Sequence, residues 1–215
     1  MRSAQGGCDR QRPKGVGRAY SHETETVNSV PGERTTHRRK KLRRFEAVGD
    51  VRFLTFSCFQ RLPLFNNDAI KDAFVEALDA ARSRARFRLI AWVIMPEHVH
   101  LMIVPALPDH PIPEVLRHLK GGFANRVLRR WRDLGAPILS RITDRHGKQR
   151  FWQKGGGYDR NIRSTEEFEE KLGYIHANPV QRGLVAQETD WRWSSAAWYA
   201  GQRGPAVLPI DAIDA

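Results

Sequence analysis

The 215-residue chain has few cysteines and no long apolar run. Its two cysteines, Cys8 and Cys58, give neither a disulfide framework nor a Cys-x-x-Cys metal pair. No stretch approaches the ~18–20 apolar residues that span a bilayer, and the N-terminus has no apolar segment resembling a signal peptide. These absences predict a reducing, cytoplasmic setting and no membrane partner.

Acidic residues are scarce as well. The chain has 24 Asp and Glu against 36 Lys and Arg, a formal charge of +12, which favours a polyanionic partner without separating DNA from RNA. Residues 1–44 hold 12 of the basic and only 4 of the acidic side chains. This composition predicts a disordered basic leader, which could contact phosphates or be an extension without function. We also expect a flexible C-terminal tail over 201–215.

Between these ends, the apolar patterns predict alternating strands and helices. Strands are expected at 51–59, 86–95, 98–104 and about 150–153, and helices at 68–84, 112–133 and 164–177. The last helix is expected to end at 177 because the residue before Pro179 is biased away from helical geometry. The order predicts one domain over 45–200. Its fold class is α+β, a ferredoxin-like sandwich with a four- or five-stranded antiparallel sheet and helices on one face.

Two histidines, His98 and His100, flank Val99 on the third predicted strand. Side chains two positions apart on a strand point to the same face, so both imidazoles can converge on a divalent cation. An incidental or structural pair of histidines fits the same spacing.

Tyr174 and Asn178 are four residues apart on the last predicted helix and therefore share one of its faces. If that helix packs across the sheet, Asn178 can supply an oxygen ligand while Tyr174 faces a bound phosphate. An ordinary helix with a half-buried tyrosine and an asparagine at its C-terminus fits this spacing equally well.

Several short motifs occur in a compatible order along the chain. The segment 95–101, Met-Pro-Glu-His-Val-His-Leu, resembles the His-hydrophobic-His motif of the HUH nucleases. It is followed by Phe-Trp-Gln, Gly-Tyr-Asp-Arg-Asn-Ile, Tyr-Ile-His-Ala-Asn-Pro-Val and Asp-Trp-Arg-Trp-Ser-Ser-Ala, at 151–153, 157–162, 174–180 and 190–196. Together these motifs resemble the REP-associated tyrosine transposases, a single-tyrosine branch of the HUH enzymes, over about residues 46–200.

The resemblance implies a metal-dependent endonuclease and strand transferase acting on single-stranded DNA beside a hairpin. Tyr174 would be the nucleophile, leaving a 5′-phosphotyrosine and a free 3′-OH, and Tyr158 is the rival tyrosine. His98 and His100 would hold Mg²⁺ or Mn²⁺. Asn178 would be the third ligand where related insertion-sequence transposases have glutamine, so His176 or a water remains an alternative.

Six basic side chains are predicted to contact DNA, with a solvated surface as the alternative. They are Arg117, Lys120 and Arg126 on the long helix and Arg160, Arg163 and Lys171 near the expected site. The aromatic residues of 191–199 either stack on bases or anchor the C-terminal segment, and we favour anchoring. The resemblance favours a monomer over a dimer. Two other functions stay open, an inactive hairpin-binding module and a metal phosphohydrolase that does not use Tyr174.

Overall fold

The computed structural model describes residues 49–155, 157–204 and 207–212. The predicted leader, 1–44, lies outside these residues, and so does part of the predicted C-terminal tail. None of the helices in the described ranges combines the length and the apolar character needed to cross a membrane.

Four strands and five α-helices make up the described part of the chain. The strands are β1 (Arg52–Ser57), β2 (Arg88–Ile94), β3 (His98–Val104) and β4 (Tyr158–Asn161). The helices are α1 (Asp68–Ala85), α2 (Ile112–Asp133), α3 (Ile138–Arg141), α4 (Thr165–Gln181) and α5 (Ala196–Tyr199). Short 3₁₀ turns cover Phe59–Arg61 and Glu188–Asp190. The bounds of β3 and α2 are those predicted from the sequence.

The strands form one antiparallel sheet in the order β2-β3-β1-β4. Strand β3 is therefore an interior strand, hydrogen-bonded on one side to β2 and on the other to β1. The α+β class and the four-stranded antiparallel sheet predicted from the sequence are confirmed.

The helices cover both faces of the sheet, so the prediction that they lie on one face is wrong. The alternation of side chains along β3 gives the reason, because both faces of this strand carry apolar residues. Leu101 and Ile103 point into a core shared with α1 and α2. Met102 and Val104 point the other way, into a second cluster that contains Ile175 of α4.

The fourth strand was predicted at about 150–153, but it lies at Tyr158–Asn161. Trp152 makes only an isolated bridge to Cys58. Strand β4 is instead fixed by a buried ion pair, in which Arg52 of β1 donates to Asp159 with an Nη2–Oδ1 distance of 2.5 Å. The sequence Tyr-Asp-Arg-Asn lacks the apolar alternation that normally marks a strand, so apolar patterning could not locate it.

Helix α4 continues past Pro179 to Gln181, which corrects the predicted end at 177. A proline inside a helix removes one backbone N–H donor, but the helix resumes directly afterwards. The N–H of Arg182 bonds to the carbonyl of Asn178 at 3.1 Å. Pro179 itself is buried, so tertiary packing outweighs the local preference. At the other end Ser164 caps the helix, accepting from the N–H of Glu167 at 3.2 Å.

The C-terminal aromatic residues anchor this segment to the sheet, as we favoured from the sequence. The Trp191 indole donates to the carbonyl of Ile94 at 3.0 Å. The Tyr199 hydroxyl donates to the carbonyl of Ile90 at 3.0 Å. Both bonds tie the segment to β2.

Candidate active site

An open cleft of about 510 Å³ lies between the α4 face of the sheet and α4 itself. The predicted residues Tyr174, His98, His100 and Asn178 all line it. The other lining side chains are Phe53, Thr55, Ser57, Arg61, Tyr158, Lys171, Gln181 and Arg182. Residues far apart in the sequence therefore converge on one cavity.

The imidazoles of His98 and His100 occupy the floor of this cleft. They are buried, with 5% and 4% of their surface exposed, and their rings meet edge to face with centroids 4.6 Å apart. Their Nε2 atoms lie 2.9 Å from each other. The same-face arrangement expected from their spacing on β3 is present.

The other nitrogen of each ring has an oxygen partner. His98 Nδ1 lies 3.1 Å from Glu97 Oε1, and His100 Nδ1 lies 2.7 Å from Thr55 Oγ1. A carboxylate can only accept, so the Nδ1 of neutral His98 carries the proton and its Nε2 lone pair faces the cleft. The hydroxyl of Thr55 can accept from His100 in the same way.

Both histidines are held in the neutral form. Burial lowers the pKa of His98, and burial together with the neighbouring His98 imidazole and Arg61 guanidinium lowers the pKa of His100 to about 3. Neutral imidazole is the form that binds metal ions. At pH 7 the pair is therefore in the protonation state that a metal site requires.

The donor set fits a divalent cation. Two ligands bound at ~2.1 Å and at right angles are about 3 Å apart, close to the separation of the two Nε2 atoms. The amide of Asn178 lies 3.4 Å from His100 Nε2, and turning this amide over presents its oxygen. Within the described residues, no group of three or more His, Cys, Asp or Glu side chains is placed to hold a metal ion.

Tyr174 lies against this pair from α4. Its ring packs edge-on against the His100 imidazole, with centroids 5.2 Å apart, and against Phe53 at 6.3 Å. The side chain is 41% exposed and lines the open cleft.

Tyr158 is on the opposite side of Phe53. Its ring meets Phe53 edge-on at 6.1 Å and is 50% exposed. Within the described ring contacts, His100 packs against Phe53 and Tyr174 but not against Tyr158. Of the two candidate tyrosines, Tyr174 is thus the one beside the imidazoles.

The six predicted DNA contacts are spread over the molecule. Lys171 lines the cleft, and Lys120 lines an adjoining crevice. The other four lie elsewhere. Arg160 pairs with Glu167, and Arg163 donates its backbone N–H to the same carboxylate. Arg117 and Arg126 lie on α2, which covers the opposite face of the sheet. A contact between any of the six and DNA stays a prediction.

His176 does not face the cleft, although it was an alternative third ligand. Its Nε2 is 2.9 Å from the hydroxyl of Ser195, on the side of α5. Sequence reasoning also missed three charged residues at the site. Arg61 and Arg182 line the cleft, and the carboxylate of Glu97 lies behind His98. Arg182 would have been found by continuing the helical spacing of Tyr174 and Asn178 through Pro179.

Comparison with known proteins identifies a matching family model and several similar proteins. The family model described as Transposase IS200 like matches residues 53–178, from β1 to Asn178. An Escherichia coli K12 protein named REP-associated tyrosine transposase is 30% identical over 109 residues, covering 51% of this chain. That match covers 54% of the E. coli protein, so the chain spans about half the length of that relative.

Two further similarities extend the comparison. A Haemophilus influenzae protein that carries the same family name is 26% identical over 155 residues, 71% of this chain and 83% of that protein. A solved structure of a REP-associated tyrosine transposase bound to a REP hairpin superposes with a TM-score of 0.58 at 23% identity. It covers 81% of this chain and 93% of that one. At this identity the likeness shows a shared fold.

Proposed function

Because the chain belongs to the IS200-like transposase family, we propose that it cuts and rejoins single-stranded DNA beside hairpins through Tyr174. Two relatives are named as REP-associated tyrosine transposases, and the structurally similar protein was solved with a REP hairpin bound. These names motivate hairpin DNA as the substrate to test.

The observation that carries the proposal is the edge-to-face contact between the Tyr174 and His100 rings, whose centroids are 5.2 Å apart in the open cleft. A phenol placed beside two neutral imidazoles with convergent lone pairs has the parts of a tyrosine transesterase. A phosphohydrolase that used only the histidines would have no need for an exposed tyrosine at this position.

In the proposed reaction the Tyr174 oxygen attacks phosphorus, and the bond from phosphorus to the 3′ oxygen of the DNA breaks. The tyrosine becomes linked to the 5′ phosphate, while the phenol proton leaves and the departing oxygen gains a proton to become a 3′-OH. Ionising a phenol at pH 7 costs about 4 kcal/mol. The ammonium of Lys171, which lines the cleft, favours the bound phosphate.

His98, His100 and Asn178 are the residues that would hold Mg²⁺ or Mn²⁺. When bound, such an ion contributes charge stabilisation at the scissile phosphate. The protein keeps the two imidazoles neutral by burial and orients them through Glu97 and Thr55. Because the phosphodiester energy is retained in the tyrosine linkage, attack by a 3′-OH can rejoin strands without ATP.

The test uses single-stranded hairpin DNA from the flanks of the gene, labelled at either end and incubated with Mn²⁺. We expect the 3′ label to migrate with the protein after denaturation and the 5′ label to appear on a shorter strand. Tyr174→Phe and chelation of the metal should both abolish the adduct, whereas Tyr158→Phe should retain it.

Other outcomes identify the alternatives. Tight hairpin binding without an adduct would indicate an inactive binding module. Cleavage that survives in Tyr174→Phe would indicate a phosphohydrolase that does not use the tyrosine, and an adduct lost in Tyr158→Phe alone would make Tyr158 the nucleophile.

A further inference from the structure

Glu97 contacts both the histidine strand β3 and the end of the tyrosine helix α4. It lies in the turn between β2 and β3 and is 8% exposed. A single carboxylate oxygen, Oε1, accepts from His98 Nδ1 at 3.1 Å and from Arg182 Nη1 at 2.7 Å. The first partner is a proposed metal ligand, and the second follows directly on the helix that carries Tyr174.

The position of Arg182 relative to Tyr174 is fixed by helix α4. It is the C-terminal cap of α4, and its backbone N–H bonds to the carbonyls of Asn178 and Val180. Eight residues separate it from Tyr174, a little over two helical turns. Helix α4 continues through Pro179 up to this cap, and from there the guanidinium reaches Glu97.

We propose that Glu97 is a positioning residue that fixes His98 in its Nδ1-protonated tautomer and, through Arg182, holds the tyrosine helix against the histidines. The proposal rests on the proposed function for the roles of His98 and Tyr174. A carboxylate behind a metal-binding histidine orients the ring and raises its basicity, and loss of such a partner typically lowers metal affinity ~10- to 100-fold. Here the same oxygen also accepts from the tyrosine helix.

This arrangement predicts coupling that an ordinary structural ion pair would not show. Removing the Glu97 charge should disturb His98 directly and α4 through Arg182. Removing the guanidinium should disturb α4 and loosen the carboxylate behind His98. The two losses should therefore not combine independently. The control is Arg192, whose Nη2 pairs with Asp72 at 2.8 Å outside the cleft.

The experiment compares full-length wild type with Glu97→Gln, Arg182→Gln, the double variant, Arg182→Lys and the control Arg192→Gln. Nitrogen-15 NMR of the metal-free proteins gives the His98 tautomer, and amide hydrogen exchange gives the opening of α4. Calorimetric titration gives the Kd for Mn²⁺, and the adduct-forming rate is measured at saturating Mn²⁺ and hairpin DNA.

We expect a single Nδ1-protonated tautomer in wild type and a mixture in Glu97→Gln. The Kd for Mn²⁺ should rise about tenfold in Glu97→Gln. Arg182→Gln should speed exchange in the last turns of α4 and lower the adduct rate about tenfold, with Arg182→Lys recovering most of it. The double variant should lose no more Mn²⁺ affinity or adduct rate than the more impaired of the two single variants. Arg192→Gln should match wild type within twofold in both measurements.

An unchanged His98 tautomer in Glu97→Gln would overturn the proposal. So would a double variant whose fold-loss equals the product of the fold-losses of the two single variants. The second result would mean that Arg182 acts on DNA independently of Glu97. If wild type neither binds Mn²⁺ nor forms an adduct, the proposed function fails. The tautomer and exchange measurements still decide whether Glu97 couples the two elements.

Discussion

The side-chain amide of Asn178 lies 3.4 Å from Nε2 of His100, although 78 residues separate them in the chain. The contact joins an interior strand to a helix on one face of the sheet, and Tyr174 is one helical turn earlier on that helix. Asn178 is buried, and its amide faces the His100 imidazole. The geometry makes this residue the first to test as a third ligand.

Asn178→Ala should raise the Kd for Mn²⁺ about tenfold, since one neutral oxygen ligand is lost while the imidazole pair remains. Asn178→Asp keeps the length of the side chain and adds a negative charge, so it should bind Mn²⁺ at least as tightly as wild type. Calorimetric titration without DNA measures both. Equal affinity of Asn178→Ala and wild type would remove Asn178 from the ligand set.

Arg61 is expected to contact the reacting phosphate. It lines the cleft and lies close enough to lower the pKa of both histidines. Arg61 and Gln60 have positive φ values of 55° and 52°, a backbone conformation that typically costs 1 kcal/mol or more in residues other than glycine. In the described part of the chain no carboxylate forms an ion pair with Arg61, whereas Arg182 and Lys171 each have one.

Arg61→Gln should therefore lower the adduct-forming rate about 100-fold, the usual effect of removing one donor that stabilises transition-state charge. The affinity for uncleaved DNA should fall much less, because other cations remain in the cleft. Single-turnover kinetics and equilibrium binding separate the two effects, with Arg192→Gln as control. A parallel loss of affinity and rate would make Arg61 a binding contact alone.

Elements with strong periodicity were predictable from the sequence, and those held by tertiary contacts were not. The apolar stripe of α2 and the apolar residues of β3 predicted the correct bounds, because burial dictates where they lie. Strand β4 was missed because the buried partner of Asp159 is Arg52, more than 100 residues away. Local sequence carries no sign of such a pair.

The candidate site divides in the same way. His98, His100 and Tyr174 carry recognisable spacing and motifs, so their convergence was expected. Arg61 depends on an unusual turn, and the link from Glu97 to Arg182 requires α4 to pass through a proline that local rules treat as a terminator. Whether α4 continues past Pro179 is decided by the packing of this buried residue, which is a property of the folded protein.

Gly157 should not tolerate a side chain. It has φ of +82°, and an added Cβ would lie 2.0 Å from the carbonyl oxygen of Thr55. Gly157→Ala must push β4 away from β1 and should destabilise the protein by about 1–3 kcal/mol, as overpacking usually does. Because Thr55 also orients His100, affinity for Mn²⁺ should fall too.

The matched control for this substitution is Gly155→Ala. Gly155 also has positive φ, +111°, but an added Cβ would meet nothing within 4 Å. Urea unfolding of both variants separates steric overlap from backbone preference. Equal destabilisation would show that the contact with Thr55 is not the cause.

Lys120 should make DNA binding sensitive to alkaline pH. Burial lowers the pKa of its ammonium to about 8, since the group lies 5.2 Å from the Phe56 ring centroid and 5.6 Å from that of Trp152. The crevice that it lines also includes Tyr158 and adjoins the cleft. The charged form predominates below the lowered pKa, so any phosphate contact by Lys120 is present at pH 7 and lost as the pH rises to 9.

The measurement is the salt dependence of single-stranded DNA binding by Tyr174→Phe, without metal, at pH 7 and pH 9. One lost phosphate contact should reduce the slope of log K against log salt by about 0.7. Adding Lys120→Met should give the smaller slope at both pH values, because its side chain cannot be charged. Most other lysines and arginines stay charged at pH 9, so a slope that changes equally with and without Lys120 would contradict a role for this residue in binding.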